Sequence, residues 1–322
     1  MRVTREMHHK ELQPTYWLVK AVFTMFMHKA GVLFLNSLNV LLNGKNIDGL
    51  HNEELYIPSK NGGPDIRLRI FKPLNVSGEL PGMLYLHGGG LVLGSPELSL
   101  ADIRDFIVTK PCVIVAPDYR KAYTAPYPAA FDDCYDTLLW MNANTQLLGI
   151  LPDKLIVAGH SAGGGLAAAV SLKATDTQEV KIAFQIPVYP MLDNRQNSES
   201  ARDNNSASWN SKANKLGWSA YLRELNEQGI TVPTYAAAAR ASDYTKLPPT
   251  ITFVGDLEPF KDETVTYVDN LRKAGIPVTF QLFEGCYHAF EKIRPNLKIS
   301  KEARSFLLNS YSEYVDKYVY SK

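Results

Sequence analysis

The chain has 322 residues, 45% of them hydrophobic, with 34 lysines and arginines against 33 aspartates and glutamates. Such a composition is enough for a large folded core, and a net charge near zero with no basic stripe argues against a nucleic-acid partner. Cys112, Cys134 and Cys286 lie far apart with no C-x-x-C pair, so neither a disulfide framework nor a zinc site is implied, and a reducing cytoplasmic location is expected.

From the N-terminus, Met1 to Glu11 is charged and lacks the apolar core and cleavage signal of a secretory peptide. Tyr16 to Leu42 is rich in apolar residues, but Lys20, His28 and Lys29 interrupt it. Its longest stretch free of ionisable residues, Ala30 to Leu42, falls short of the ~20 needed to span a bilayer. The segment reads as amphipathic helices packed on the body, with no transmembrane segment and a peripheral membrane contact left open.

Strands are expected at Glu53–Ile57, Ile66–Phe71, Met83–Leu86, Cys112–Ala116, Leu155–Ala158, Ala183–Val188, Ile251–Val254 and Val278–Phe283. The later runs are continuously apolar, as in strands buried on both faces. Helical patterns fall between them at Leu98–Thr109, Ala129–Asn142, Gly163–Ala174, Glu263–Ala274 and Ser300–Val319. This alternation predicts an α/β fold with a mostly parallel eight-stranded sheet flanked by helices, and the absence of a linker predicts one domain over residues 1–322. Two segments stand outside the alternation, residues 1–50 and about 193–241, and both are expected to form a lid. The second is rich in Asn and Ser, and loops longer than about 12–15 residues in compact domains are usually functional or disordered. Trp209, Trp218 and Tyr221 argue for order.

The chemistry is carried by Gly159-His160-Ser161-Ala162-Gly163, which follows an apolar strand and leads into a helix of small residues. A serine between flanking glycines at such a junction is a nucleophile elbow, a turn too sharp for side chains at its flanks. Upstream, the strand run Met83–Leu86 ends in His87-Gly88-Gly89-Gly90, the kind of segment that completes an oxyanion hole. Gly88, Gly89 and Gly90 are therefore candidate donors. Gly89 and Gly90 are favoured, and the Ala162 N–H follows the nucleophile as a third. A serine hydroxyl needs a general base, and the base needs an acid to fix its tautomer. Only one histidine, His288, follows Ser161. The acid is expected in the loop after Ile251–Val254, where Asp256, Glu258 and Asp262 compete; Asp262 and Glu263 also suit the first turn of a helix.

With these residues in place, the chain from about Ile70 to Phe290 resembles the hormone-sensitive-lipase-type carboxylesterases of the α/β-hydrolase superfamily. His87-Gly88-Gly89-Gly90, Asp118-Tyr119-Arg120 with Tyr127-Pro128-Ala129-Ala130, Gly159 to Gly164 and Tyr189-Pro190-Met191-Leu192-Asp193 match the family's segments. The resemblance implies Ser161 as nucleophile and His288 as base. In the family's D-P-L-x-D string the first Asp is the acid, and the matching string here is Glu258-Pro259-Phe260-Lys261-Asp262, so Glu258 takes that place. Two further departures are His160 for the usual Asp before the serine, and Lys121-Ala122-Tyr123-Thr124-Ala125 for the usual L-A-P-E-H.

The expected function is a serine carboxylesterase that acts on small, fairly apolar esters through an acyl-enzyme, with no cofactor and no metal. A catalytically silent ligand-binding receptor on the same fold, and an amidase or peptidase, are the alternatives. A homodimer is left open.

Overall fold

The computed structural model describes residues 1–321. Its strands are β1 (Leu50–Ile57), β2 (Ile66–Pro73), β3 (Leu80–Leu86), β4 (Val113–Pro117), β5 (Ile150–His160), β6 (Ile182–Val188), β7 (Thr250–Gly255) and β8 (Val278–Phe283). They form one sheet in the order β1-β2-β4-β3-β5-β6-β7-β8. Only β2 runs against the others: it pairs antiparallel with β1 and β4, and every other pairing is parallel.

The helices in chain order are α1 (Tyr16–Phe26), α2 (Lys29–Asn39), α3 (Leu100–Thr109), α4 (Ala129–Ala143), the short α5 (Thr145–Leu148), α6 (Ala162–Thr177), α7 (Ser211–Tyr221), the short α8 (Arg223–Glu227), α9 (Lys261–Lys273), the short α10 (Phe290–Ile293) and α11 (Lys298–Tyr314). The sheet separates two cores because side chains alternate along each central strand. Leu84 and Leu86 of β3, with Leu155 and Val157 of β5, pack with Cys134 and Leu138 of α4 and Leu166 and Val170 of α6. Met83, Tyr85, Ile156 and Ala158 pack on the other face with Phe106 of α3 and Leu307 and Tyr311 of α11.

All eight expected strands are present, with one difference of environment. The sequence predicts β8 to be buried on both faces, yet it is one of the two edge strands, and Gln281 and Leu282 are exposed. The expected helix at Ser300–Val319 ends as α11 at Tyr314 and continues as a π-helical turn over Val315–Val319.

The N-terminal helices differ from a simple amphipathic pair. α1 buries Tyr16 and Val19 and half-buries Phe23, but its outer face is also apolar: Trp17 and Met25 are 66% and 64% exposed, with Leu18 and Val22 beside them. No single helix among the described residues is long and apolar enough to cross a membrane, and Gln13–Phe26 and Lys29–Leu42 meet at 94°.

The Asn- and Ser-rich segment between β6 and β7 holds α7 and α8. The Asn210 side chain caps α7 by accepting from the Lys212 and Ala213 N–H groups. The buried face of α7 includes Ala213, Asn214, Gly217, Trp218 and Tyr221. That spacing is helical, but small and polar residues supply much of it.

Candidate active site

The carboxyl ends of β3, β5, β7 and β8 converge, so the loops that follow them meet at one edge of the sheet, where ligands bind in open α/β folds. β5 delivers Ser161 on a turn with φ +58° and ψ −119°, a conformation that non-glycine residues rarely adopt. Three backbone hydrogen bonds hold it. The Ser161 N–H donates to Val188 O at 2.9 Å, and its carbonyl accepts from Gly165 and Met191 at 2.9 and 3.0 Å. The flanking glycines are there for close approach: a Cβ on Gly159 would lie 2.2 Å from Gly163 O, and one on Gly163 would lie 2.1 Å from Leu86 O.

The loop after β8 brings His288 Nε2 to 2.8 Å from Ser161 Oγ. Its Nδ1 is hydrogen-bonded to Oε2 of Glu258, from the loop after β7. Glu258 is completely buried, and its second oxygen accepts from the Gly255 N–H at 2.9 Å. Tyr189 and Phe260 pack edge-on against the His288 ring, with centroids 4.7 and 5.0 Å away. These aromatic walls restrict the imidazole to the orientation that spans serine and carboxylate.

The other acids of the loop are engaged elsewhere. Asp256 Oδ1 accepts from the Gly285 N–H at 2.7 Å, and burial raises its pKa. Asp262 Oδ2 accepts from the Ser200 N–H at 2.7 Å. Glu263 is buried and accepts from the Leu192 and Asp193 N–H groups, and burial lifts its pKa well above the carboxylate range. Both lie in the first turn of α9 as expected, but they also anchor the insertion. Cys286 is buried, and burial pushes its thiol pKa up, as befits a packing residue.

Gly88, Gly89 and Gly90 line the same cavity as Ser161 and His288. The N–H groups of Gly89, Gly90 and Ala162 donate to no other group among the described residues. Gly89 and Gly90 have φ of +124° and +61°. A Cβ on Gly90 would sit 2.1 Å from Trp209, and one on Gly217 of α7 would sit 2.6 Å from Gly90 O, so the glycine loop is seated on the insertion. Behind it, Tyr119 stacks on His87 at 4.1 Å and donates its hydroxyl to His87 O at 2.7 Å. Arg120 forks onto the Asp133 carboxylate and fixes that segment in turn.

The cavity encloses about 300 Å³, and Phe23, Met27, Leu93, Leu98, Trp209 and Ile293 supply most of its apolar wall. A profile described as alpha/beta hydrolase fold matches residues 83–292, about two thirds of the chain. The chain belongs to the α/β-hydrolase-fold family. An AB hydrolase superfamily protein of Schizosaccharomyces pombe is 30% identical over 81% of this chain and 80% of its own. Carboxylesterase NlhH of Mycobacterium tuberculosis is 31% identical over 68% and 69% of the two chains. Among solved structures, a bacterial heroin esterase superposes with a TM-score of 0.85 at 30% identity, covering 97% of this chain and 99% of its own.

In this hydrolase several site residues had no sequence signal. Ser208 Oγ donates to His288 O at 2.7 Å, Ser200 Oγ donates to Pro259 O at 3.0 Å, and Asn204 Nδ2 donates to Leu257 O at 3.3 Å. All three come from the insertion and brace the loops that carry His288 and Glu258. The N-terminal segment is tied to the same region: His9 N–H donates to Gly285 O at 2.8 Å, and Lys20 Nζ donates to Asn205 O at 3.0 Å. Asn36 of α2 donates to Val92 O at 2.7 Å, just past the glycine loop.

Two other histidines of the hydrolase, His87 and His160, are buried, and their pKa values are lowered to about 3, by burial first and then by Lys121 and Lys292 respectively. In the unfolded chain both would take up protons near pH ~6.5. The unfolded state therefore binds more protons between about pH 6.5 and 3, and the contribution of these rings to stability falls as pH falls through that window. Imidazole nitrogen shifts recorded by NMR at pH 5 are expected to report both rings neutral in the folded protein; a protonated ring would contradict the burial argument.

Proposed function

We propose that the chain is a serine carboxylesterase for small, fairly apolar esters, with Ser161 as nucleophile, His288 as general base and Glu258 as the acid that orients it. The observation that carries this reading is the unbroken hydrogen-bonded line from Ser161 Oγ through both ring nitrogens of His288 to a buried Glu258 carboxylate. Ser161 Oγ attacks the ester carbonyl carbon while its proton passes to His288 Nε2, and the Glu258 carboxylate stabilises the imidazolium. The Gly89, Gly90 and Ala162 N–H groups receive the oxyanion, with Gly88 shaping the loop. Collapse of the tetrahedral adduct breaks the bond to the alcohol oxygen, which leaves with the proton from His288. Water then repeats the sequence on the acyl-enzyme, releasing the carboxylic acid and restoring Ser161. The chemistry needs no cofactor or metal.

A fluorophosphonate probe tests the reading, since it reacts with activated serines. Labelling that maps to Ser161 by peptide mass spectrometry is expected. An unlabelled protein would instead favour a silent binding scaffold, and a comparison of ester with amide turnover separates esterase from amidase.

The reading extends to the two segments outside the alternation, which act as a lid on one hydrolase domain over residues 1–322. Phe23 and Met27 from the N-terminal side and Trp209 from the insertion border the cavity. Removal of residues 1–40 is expected to lower the melting temperature and flatten selectivity among acyl chain lengths, since an intact pocket discriminates by about 1–3 kcal/mol per methylene. Unchanged melting and chain-length preference in the truncated protein would rule out a lid role. The reading also includes a cytoplasmic protein, with its three cysteines free. The outer face of α1 offers a peripheral lipid contact, and co-sedimentation with vesicles tests it. Size-exclusion chromatography with light scattering decides between monomer and homodimer.

A further inference from the structure

His160 has no part in the chemistry above, although it immediately precedes Ser161 and lines the same cavity. The residue is 3% exposed, and its Nδ1 lies 2.9 Å from the Tyr85 hydroxyl oxygen. That hydroxyl has a single proton, which it donates to Asp102 Oδ2 at 3.2 Å. Lys292 Nζ donates to the same carboxylate oxygen at 2.7 Å. Burial is the largest influence on Asp102 and opposes its ionisation, but the positive charge beside it, Lys292 foremost, and the hydrogen bonds from Lys292 and Tyr85 together outweigh burial and hold the carboxyl below its ordinary range.

An ionised carboxylate is a stronger acceptor than a neutral imidazole nitrogen, so the Tyr85 proton belongs to Asp102. The Tyr85 oxygen is then left to accept from His160, which requires the proton of the imidazole on Nδ1. The relay from Lys292 through Asp102 and Tyr85 thus fixes one tautomer. Nε2 keeps a lone pair.

Nε2 bonds to no group among the described residues, and it is not one of the polar atoms sealed from solvent. Since His160 lines the cavity beside Leu98, Ser99, Lys292 and Ile293, this nitrogen opens onto it. A neutral acceptor in a largely apolar cavity loses its water when a ligand enters, and the loss is compensated only when the ligand supplies a donor.

We propose that His160 Nε2 is an acceptor subsite, and that the preferred substrates are esters bearing a hydroxyl or amide N–H within a few bonds of the ester group. The inference rests on the esterase reading for its chemistry but not for its binding. Two matched pairs of esters test it. Ethyl 3-hydroxybutanoate against ethyl 3-methoxybutanoate places the donor on the acyl side; 3-hydroxybutyl acetate against 3-methoxybutyl acetate places it on the alcohol side. Methylation removes the donor and leaves an acceptor, so a site of the opposite polarity would not favour the hydroxyl.

In at least one pair the hydroxyl ester is expected to be preferred ~10-fold in kcat/KM, the scale of one hydrogen bond to a desolvated acceptor, with the difference in KM rather than kcat. The ratio should fall to near one in His160→Phe, fall in part in Tyr85→Phe, where the tautomer is released, and recover in part in His160→Gln, whose amide oxygen can reach the Nε2 position. Calorimetric binding of the same pairs to the Ser161→Ala protein, with and without His160→Phe, reads the subsite independently of turnover. A His160-dependent preference in binding without turnover in wild type would sustain the subsite and sink the esterase reading. Turnover of both pairs with ratios near one, or a preference that survives His160→Phe, would overturn the subsite and leave the esterase reading standing.

Discussion

Ser161→Ala is expected to lower kcat for ester hydrolysis by about 10⁴–10⁶-fold while leaving the fold intact. The substitution removes the one atom that can form the acyl bond, and the oxyanion donors alone leave only a residual acceleration. The strained turn should survive, because the hydrogen bonds that hold it run from the Ser161 backbone to Val188, Gly165 and Met191 and do not involve the hydroxyl. Ser161 Oγ contributes one side-chain bond, to His288. Circular dichroism and melting temperature should therefore match wild type. A purified variant that kept more than a few per cent of the wild-type rate with its fold unchanged would refute the nucleophile assignment.

Glu258→Gln is expected to cost about 10³–10⁴-fold in kcat, as amide replacement of a triad acid does. An amide keeps the shape of the side chain but loses the charge that stabilises the imidazolium, and its single acceptor oxygen cannot serve both the Gly255 N–H and the His288 Nδ1–H, so one of them faces an NH₂. Asp256→Asn should cost far less. Asp256 serves Gly285, and an asparagine oxygen can accept from the same N–H. The extra methylene of glutamate relative to the family's usual aspartate is accommodated by a loop in which Glu258 also takes the Gly255 N–H, so both carboxylate oxygens are in use. Side-by-side kinetics of the two variants decide the matter: a large loss in Asp256→Asn with a near-normal Glu258→Gln would reverse the assignment.

The central sheet was legible because burial on both faces imposes a nearly continuous apolar run, which β3 and β5 carry unbroken and β6 and β7 carry with the buried Gln185 and Thr252 inside it. The elbow was legible because Gly159 and Gly163 answer a steric demand that no other residue meets. His288 could be named by elimination and Glu258 by its place in a matching string. The insertion was not legible beyond its length and aromatic content. Ser200, Asn204 and Ser208 act through single hydrogen bonds to backbone carbonyls that lie far away in sequence, and such pairings leave no periodicity. The largely apolar outer face of α1 was missed for a related reason: a run of hydrophobic residues in a short helix does not reveal which of them the body will cover.

The contact between the glycine loop and α7 bears on how this protein can be recombined. Gly90 has no room for a side chain because Trp209 occupies the space, and Gly217 has none because Gly90 O does. The insertion is therefore not a cassette that can be exchanged between relatives to change chain-length preference. A graft that brings a new segment between β6 and β7 without a glycine at 217 and a flat aromatic at 209 would displace the oxyanion donors along with the pocket wall. Crossovers in chimeric designs belong before Gly90 or after Gly217 in the sequence, so that both partners of this contact come from one parent.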